Sequence, residues 1–386
     1  MARATWLTYF DDLPDPRVAR TRRHKLGDIL LIVLVGAICE CRGWDDMHDL
    51  VAEGSDELRL LFELPHGVPS ADTLRRVLGA LDPSAFRAGF VAWSAALCRS
   101  TEGKLVAIDG KTVRGAFAGP DGGGALHLIN AWVSENSMVL GQYATDVKSN
   151  EITAIPELIR LLDLRGAVVS IDAMGCQRDI ARTLRERGAH YLFGLKGNQP
   201  TLHQEVLESF DDATLARLES SPTTYHAEAD KGHGRSEYRR VWVQHDVSWL
   251  SRSEQWTDLA SLVLVESERT VRGVTSRERR AYISSLVAPA ERMFALVRGH
   301  WHVENKLHWV LDVTFGEDRA RISKRNGAEN LSALRKMALN MLTNAPSPRK
   351  PRSIAQKRKL ASWRVDYLRT VLSCPIEASV ARDSAS

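Results

Sequence analysis

No apolar run in this chain is long enough to cross a bilayer; the longest, ILLIVLVGAIC at residues 29–39, falls well short of the roughly 20 residues a spanning helix needs. The opening MARATWLTYFDDLPDPR lacks the apolar centre of a signal peptide, so the expected location is the cytoplasm. Cysteine is scarce, five in 386 residues, and Cys39 and Cys41 are separated by a single residue. That count is odd and has no paired metal-type spacing, which excludes a disulfide framework and a zinc ribbon and predicts reduced, mostly buried thiols. No repeat of fixed period exists, so a solenoid is excluded. Net charge is small, +4, and argues against a uniformly basic coat for nucleic acid. What remains, 44% hydrophobic and 26% charged residues, is the composition of an ordinary globular protein of two or three domains.

The charge that is present is local. Arg17, Arg20, Arg22, Arg23 and Lys25 crowd one stretch, and Arg349, Lys350, Arg352, Lys357, Arg358 and Lys359 crowd another. Such clusters suit phosphate backbones, and solvated tails equally. Residues 1–100 read as an all-α module. Within it PSADTLRRVLGALDP has Ser70 as an N-cap, Leu74, Val77, Leu78 and Leu81 inward, and Arg75 and Arg76 outward. A DNA-reading helix and an ordinary capped surface helix share this pattern.

From Lys104 the periodicity changes. KLVAIDG is a buried strand ending at Asp109, followed by a glycine-rich loop at 115–125. HLINAWVS and MVLGQYAT form a hairpin, EITAIPELIRLLD a helix, AVVSIDA a strand ending at Asp172, CQRDIARTLRERG a helix and HYLFGLKG a strand. A three-strand meander continuing as β-α-β-α-β gives an α/β fold with a mixed sheet in ribonuclease H-like order; the first and fourth strands then end side by side. Residues 101–199 are thus read as the first part of a catalytic core. Residues 200–288 are read as a β-rich insertion, 289–345 as the helical remainder of the core, and 346–386 as a basic tail.

Two aspartates at adjacent strand ends invite a hard cation. Mg²⁺ prefers oxygen ligands and keeps waters, and two ions roughly 3.5–4 Å apart can serve both the attacking and the leaving oxygen of a phosphoryl transfer. Glu304 is the candidate third carboxylate, on a helix where His300, Glu304, His308 and Leu311 form a stripe. Taken singly, Asp109 also reads as a turn former and Asp172 as a helix N-cap. Trp301 and Trp309 are expected in the core rather than as base-stacking platforms.

The segments AIDGKTVRGA, SIDAMGCQ, LKGNQP, KGHGRSE and RGHWHVENKLHWVLDVTFGEDRARI resemble, in order and spacing, insertion-sequence DDE transposases of the H-repeat-associated type. The resemblance extends from about residue 8 to about residue 372. It implies a ribonuclease H-like core interrupted by a β-rich insertion, with Asp109, Asp172 and Glu304 as catalytic and metal-binding residues. Mg²⁺, replaceable by Mn²⁺, is the implied cofactor. The implied partners are double-stranded DNA, as terminal inverted repeats and target, and a second copy of the chain in a homodimer on DNA. The implied activity is cleavage at the repeats and joining of the freed 3′-OH ends to target DNA. An inactivated DNA-binding derivative and a nuclease without strand transfer are the alternatives. DNA contacts are expected from Arg75, Arg76, Lys111, Arg114, Lys196, Lys231, His233, Arg235, Arg239 and His300. One departure stands out: where many related enzymes place Tyr, Arg and Lys around the glutamate, this chain has Val297, His300 and Leu311.

Overall fold

The computed structural model describes residues 5–116, 126–145, 151–232, 235–320, 322 and 325–373. The glycine-rich loop beyond residue 116, His233 and the chain after residue 373 lie outside the described residues.

The N-terminal third is helical, with α1 (Leu26–Ile38), α2 (Trp44–Ala52), α3 (Asp56–Arg59), α4 (Ala71–Leu78) and α5 (Pro83–Cys98). Burial takes nearly the whole of α1, as an all-round apolar helix requires. Ser70 caps α4, its hydroxyl accepting from the Thr73 N–H at 3.3 Å, and Leu74, Val77, Leu78 and Leu81 are buried while Arg75 and Arg76 face water.

One nine-stranded sheet crosses the molecule in the order β3-β2-β1-β4-β5-β9-β8-β7-β6. Strands β1 (Leu105–Val113), β2 (Leu126–Val133) and β3 (Met138–Thr145) form the antiparallel meander. Helix α6 (Glu151–Leu161) leads to β4 (Val168–Ile171), and α7 (Arg178–Glu186) leads to β5 (His190–Leu195); both strands run parallel to β1. This is the strand order expected from the sequence.

The next segment departs from expectation at its start. It begins with two helices, α8 (Pro200–Ser209) and α9 (Asp212–Glu219), the first opening on Pro200 and the second capped by Asp211, which accepts from Thr214 N–H at 2.8 Å. Its strands β6 (Tyr225–Gly232), β7 (Arg235–Gln244), β8 (Ser261–Val271) and β9 (Val274–Ser284) do not form a separate sheet. Strand β9 pairs with β5, Phe193 opposite Ile283, so the insertion prolongs the core sheet.

Period-two alternation sends Leu105, Ala107 and Val113 of β1 to one face and Val106 and Ile108 to the other. The second face is covered by α6 to α9. The first is covered by α10 (Ala290–His300), two π-helical stretches (Val303–His308 and Val310–Thr314), α11 (Arg325–Asn344) and the N-terminal helices. The basic run near the C-terminus is not a free tail. It folds as α12 (Ile354–Trp363), followed by α13 (Val365–Leu372). Lys357 donates to the carbonyls of Leu342 and Ala345 at 2.7 Å each, and Arg358 donates to Ala37 O at 2.8 Å. Both side chains are buried against helix C-termini, where the orphan carbonyls and the helix dipole favour a cation. Among the described residues no helix is long and apolar enough to cross a membrane.

Candidate active site

Asp109 does not close β1. The strand runs on to Val113 in antiparallel pairing with β2; what ends at this point is the parallel pairing with β4, whose last pair is Ile108 opposite Ile171. Asp109 and Asp172 each follow that pair directly, so neighbouring strands deliver both carboxylates to one place. Asp172 is solvent-exposed and also caps a short 3₁₀ turn, accepting from Met174 N–H at 3.1 Å. The loop after β5 is fastened to the same edge, with Asn198 donating to Ala173 O and Gln199 to Cys176 O at 3.0 Å. This gives the LKGNQP segment a structural role beside Lys196, which is exposed.

Glu304 reaches this edge from the π-helical stretch after α10 and is exposed. Burial, followed by the negative charges of Asp172, Glu151 and Glu304, pushes the Asp109 carboxyl up to about 7, although the Gly110 N–H at 2.9 Å opposes the shift. Asp172 and Glu304 therefore both bear on Asp109. Glu151 is a fourth, which sequence reasoning missed. It is buried at the start of α6 with Oε1 2.6 Å from His127 Nε2. The pair passes close behind β1, where a Cβ on Gly110 would sit 2.5 Å from both groups, so the glycine of the DGK motif makes room for it. No spacing rule links residues 127 and 151; only the sheet brings them together.

His308 was also missed as a site residue. Its Nδ1 lies 3.6 Å from Asp109 Oδ2, and burial together with the charges of Lys111 and Lys336 pushes its pKa down to about 3, leaving a neutral ring. Among the described residues no three His, Cys, Asp or Glu side chains stand close enough together to hold a metal ion without moving.

Two expected DNA contacts are placed otherwise. Lys111 is buried, its ammonium 2.7 Å from Asp312, 2.9 Å from Glu317 and 3.4 Å from Asp318, so it clamps β1 to the loop after the π-helical stretch instead of meeting phosphate. His300 is buried with Nδ1 2.9 Å from Ser170 Oγ, and burial pushes its pKa down to about 4 against the pull of Asp172. A neutral, enclosed imidazole cannot replace a guanidinium on a phosphate. Trp301 and Trp309, expected in the core, are 36% and 55% exposed. The buried stripe of this stretch is instead Val303, Leu307, Leu311 and Phe315.

The other cations expected to meet DNA lie on the surface. Arg114 is exposed with its backbone N–H on Asp318, Arg75 pairs with Asp72, and Arg76 and Lys231 are exposed. Arg235 and Arg239 both face Glu237 on β7.

Comparison with known proteins bears directly on this arrangement. The family described as "Transposase DDE domain" matches residues 100–341, and the family "DDE_Tnp_1-associated" matches residues 7–94. The chain belongs to the DDE transposase family. Within this family it is 38% identical over 367 residues to "H repeat-associated putative transposase YhhI" of Escherichia coli K12, covering 94% of this chain and 96% of that protein. It is 40% identical over 282 residues to an uncharacterized protein in the dhlA 3′ region of Xanthobacter autotrophicus, covering 72% of this chain and 94% of the relative. This DDE transposase is thus of the H-repeat-associated type. A solved piggyBac transposase synaptic complex with hairpin DNA aligns with 97% of this chain and 78% of its own, at 11% identity and a TM-score of 0.44. The family assignment rests on the two family matches and the curated relatives.

Proposed function

We propose that this chain cuts DNA at the terminal inverted repeats of an insertion sequence and joins the freed 3′-OH ends to target DNA, using Asp109, Asp172 and Glu304 on a ribonuclease H-like core. The observation that carries the reading is the electrostatic convergence of these carboxylates on Asp109 at one edge of the sheet. Carboxylates gathered without a cation repel one another, and a divalent metal relieves this. Hard oxygen donors that remain partly open suit Mg²⁺, or Mn²⁺ in its place, because such ions keep waters and accept substrate phosphate as ligands. Asp109, Asp172 and Glu304 would hold the metal, which supplies an activated water and charge stabilisation at the scissile phosphate.

The chain's own parts do the rest. His308, neutral beside Asp109, and the His127–Glu151 pair behind it fix the carboxylate's position; Lys111 ties β1 to the segment carrying Glu304. Arg75, Arg76, Arg114, Lys196, Lys231, Arg235 and Arg239 are the surface cations assigned to double-stranded DNA. Two ends must be brought together for transposition, so the working unit is a homodimer on DNA, in the cytoplasm where DNA is accessible. Incubation of purified protein with labelled inverted-repeat ends, Mg²⁺ and a target plasmid tests the reading: cleavage with joined product is expected. Cleavage alone would make the chain a nuclease, and binding without cleavage an inactive DNA-binding derivative.

A further inference from the structure

The basic run at residues 17–25 is a folded loop in which only some of the cations have partners. The Asp15 carboxylate accepts from both edges of the Arg17 guanidinium, Nε at 2.9 Å and Nη2 at 2.7 Å, and from the Arg17 backbone N–H at 3.0 Å. Arg22 closes the loop over a 3₁₀ turn (Ala19–Thr21), donating to the carbonyls of Arg17 at 2.7 Å and Asp15 at 3.1 Å. The Arg17 and Asp15 side chains are largely enclosed, 12% and 16% exposed. The far end of the loop is fastened to the segment that leads into α4. Lys25 pairs with Glu63, the His24 ring is hydrogen-bonded to the Gly67 backbone, and the buried Asp28 accepts from the Glu63 and Leu64 N–H groups at 3.0 and 3.1 Å. Just beyond Gly67, Ser70 caps α4.

Arg17, Arg22 and Lys25 thus shape and anchor the loop. Arg20 and Arg23 are exposed, and among the described residues neither pairs with a carboxylate. Crowding like charges into so short a stretch costs stability through their repulsion, which a polyanion relieves. Guanidiniums on a preordered loop also lose less freedom on binding than those of a free tail. We infer that residues 15–25 are a second phosphate-contact element of the N-terminal module, with Arg20 and Arg23 on the backbone of the duplex that α4 faces. The inference rests on the DNA-cutting reading above and adds a contact to it. Phosphates are alike at every base pair, so this contact sets affinity and orientation and not which sequence is read. Asp15 is a positioning residue, acting through the arginines it holds.

The test titrates the full chain into labelled duplexes in EDTA, so that binding is read without cutting, using an inverted-repeat end and a random sequence. Arg20→Ala with Arg23→Ala should make the salt dependence shallower by about two ions on both duplexes. Between about 50 and about 200 mM salt the double variant should then lose about 12-fold less affinity than wild type. Arg20→Lys with Arg23→Lys should keep the wild-type slope, since a phosphate contact needs charge more than a planar fork. Asp15→Ala removes a negative charge and is nonetheless expected to weaken binding, because it releases Arg17 and Arg22 and loosens the loop. A double-alanine variant with wild-type affinity and slope overturns the inference. So does a loss confined to the inverted-repeat end at unchanged slope, which would make the arginines base readers. Tighter binding by Asp15→Ala overturns it as well, since total charge and not the anchored loop is then what DNA meets. Failure of the wild-type chain to bind any duplex sinks the underlying reading instead.

Discussion

At the scale of single residues, the acidic side chains near the site divide into two sets with opposite physics. The charges of Asp172 and Glu304 bear on Asp109 at a partly open edge, whereas Glu317 is fully buried, with Lys111 at 2.9 Å and the Ser332 hydroxyl at 2.7 Å. Asp109→Asn, Asp172→Asn and Glu304→Gln are each expected to abolish cutting of labelled ends while gel-shift affinity and melting temperature stay near wild type, since charge is removed with little change of shape. Glu317→Gln should instead destabilise by about 3–5 kcal/mol in urea melts, because it leaves the buried Lys336 without its main counter-charge, while Lys111 keeps Asp312 and Asp318. Its pH signature has a definite sign. Burial raises the Glu317 carboxyl, but Lys111, Lys336 and Arg335 overcome that and hold it at about 2, below its ordinary 4.5. Its stabilising contribution is therefore complete above pH 4.5 and lost as pH falls toward 2, so the gap between wild type and Glu317→Gln should close across that window. A gap that stays constant down to about pH 2 would show that the charge is not what Glu317 contributes.

At the scale of elements, the proposed DNA contacts lie on α4 and on the β6–β7 hairpin. An Arg75→Ala, Arg76→Ala double variant should bind ends more weakly, with a salt dependence shallower by about one to two ions, because a protein that neutralises fewer phosphates displaces fewer counterions from the DNA. Equal affinity and slope would remove α4 from the interface. Arg235→Glu with Arg239→Glu should weaken end binding more steeply, since it places two negative charges beside Glu237, where both arginines now sit. Its melting temperature is expected to fall measurably, because Glu237 is half-buried and would keep only Arg269 as a cationic partner. The α4 pattern was legible in the sequence because a cap and an amphipathic stripe are local. The π-helical turns after α10 were not: an α-helical period assigned Glu304 and His308 to one stripe, and the wider turn buried Val303 and Leu307 and exposed the tryptophans instead.

At the scale of the whole molecule, Arg358 joins distant parts of the chain. Its guanidinium donates to Ala37 O at the end of α1 and to Thr314 O after the π-helical stretch, and it stacks 4.3 Å from the Phe315 ring centroid. Arg358→Ala is expected to cost about 3 kcal/mol by leaving buried carbonyls unpaired, and to lower cutting in parallel, because Thr314 belongs to the segment that presents Glu304. Loss of stability with undiminished cutting at low temperature would show that the C-terminal helices do not position that segment.

The sequence by itself determined the strands of the core and the start of α4: alternation placed the strands, a cap placed α4, and the resemblance carried by AIDGK, SIDA and HWHVEN marked Asp109, Asp172 and Glu304 as candidates. Each of those signals lives within a few residues of chain. Tertiary structure alone decided that β9 pairs with β5 and fuses the insertion to the core sheet, that Glu151 and His127 meet behind Gly110, and that Lys111, Lys357, Arg358 and His300 are buried. A cation's type and spacing are the same whether it faces water or a carboxylate hundreds of residues away. Only the packed fold sets which of these it meets.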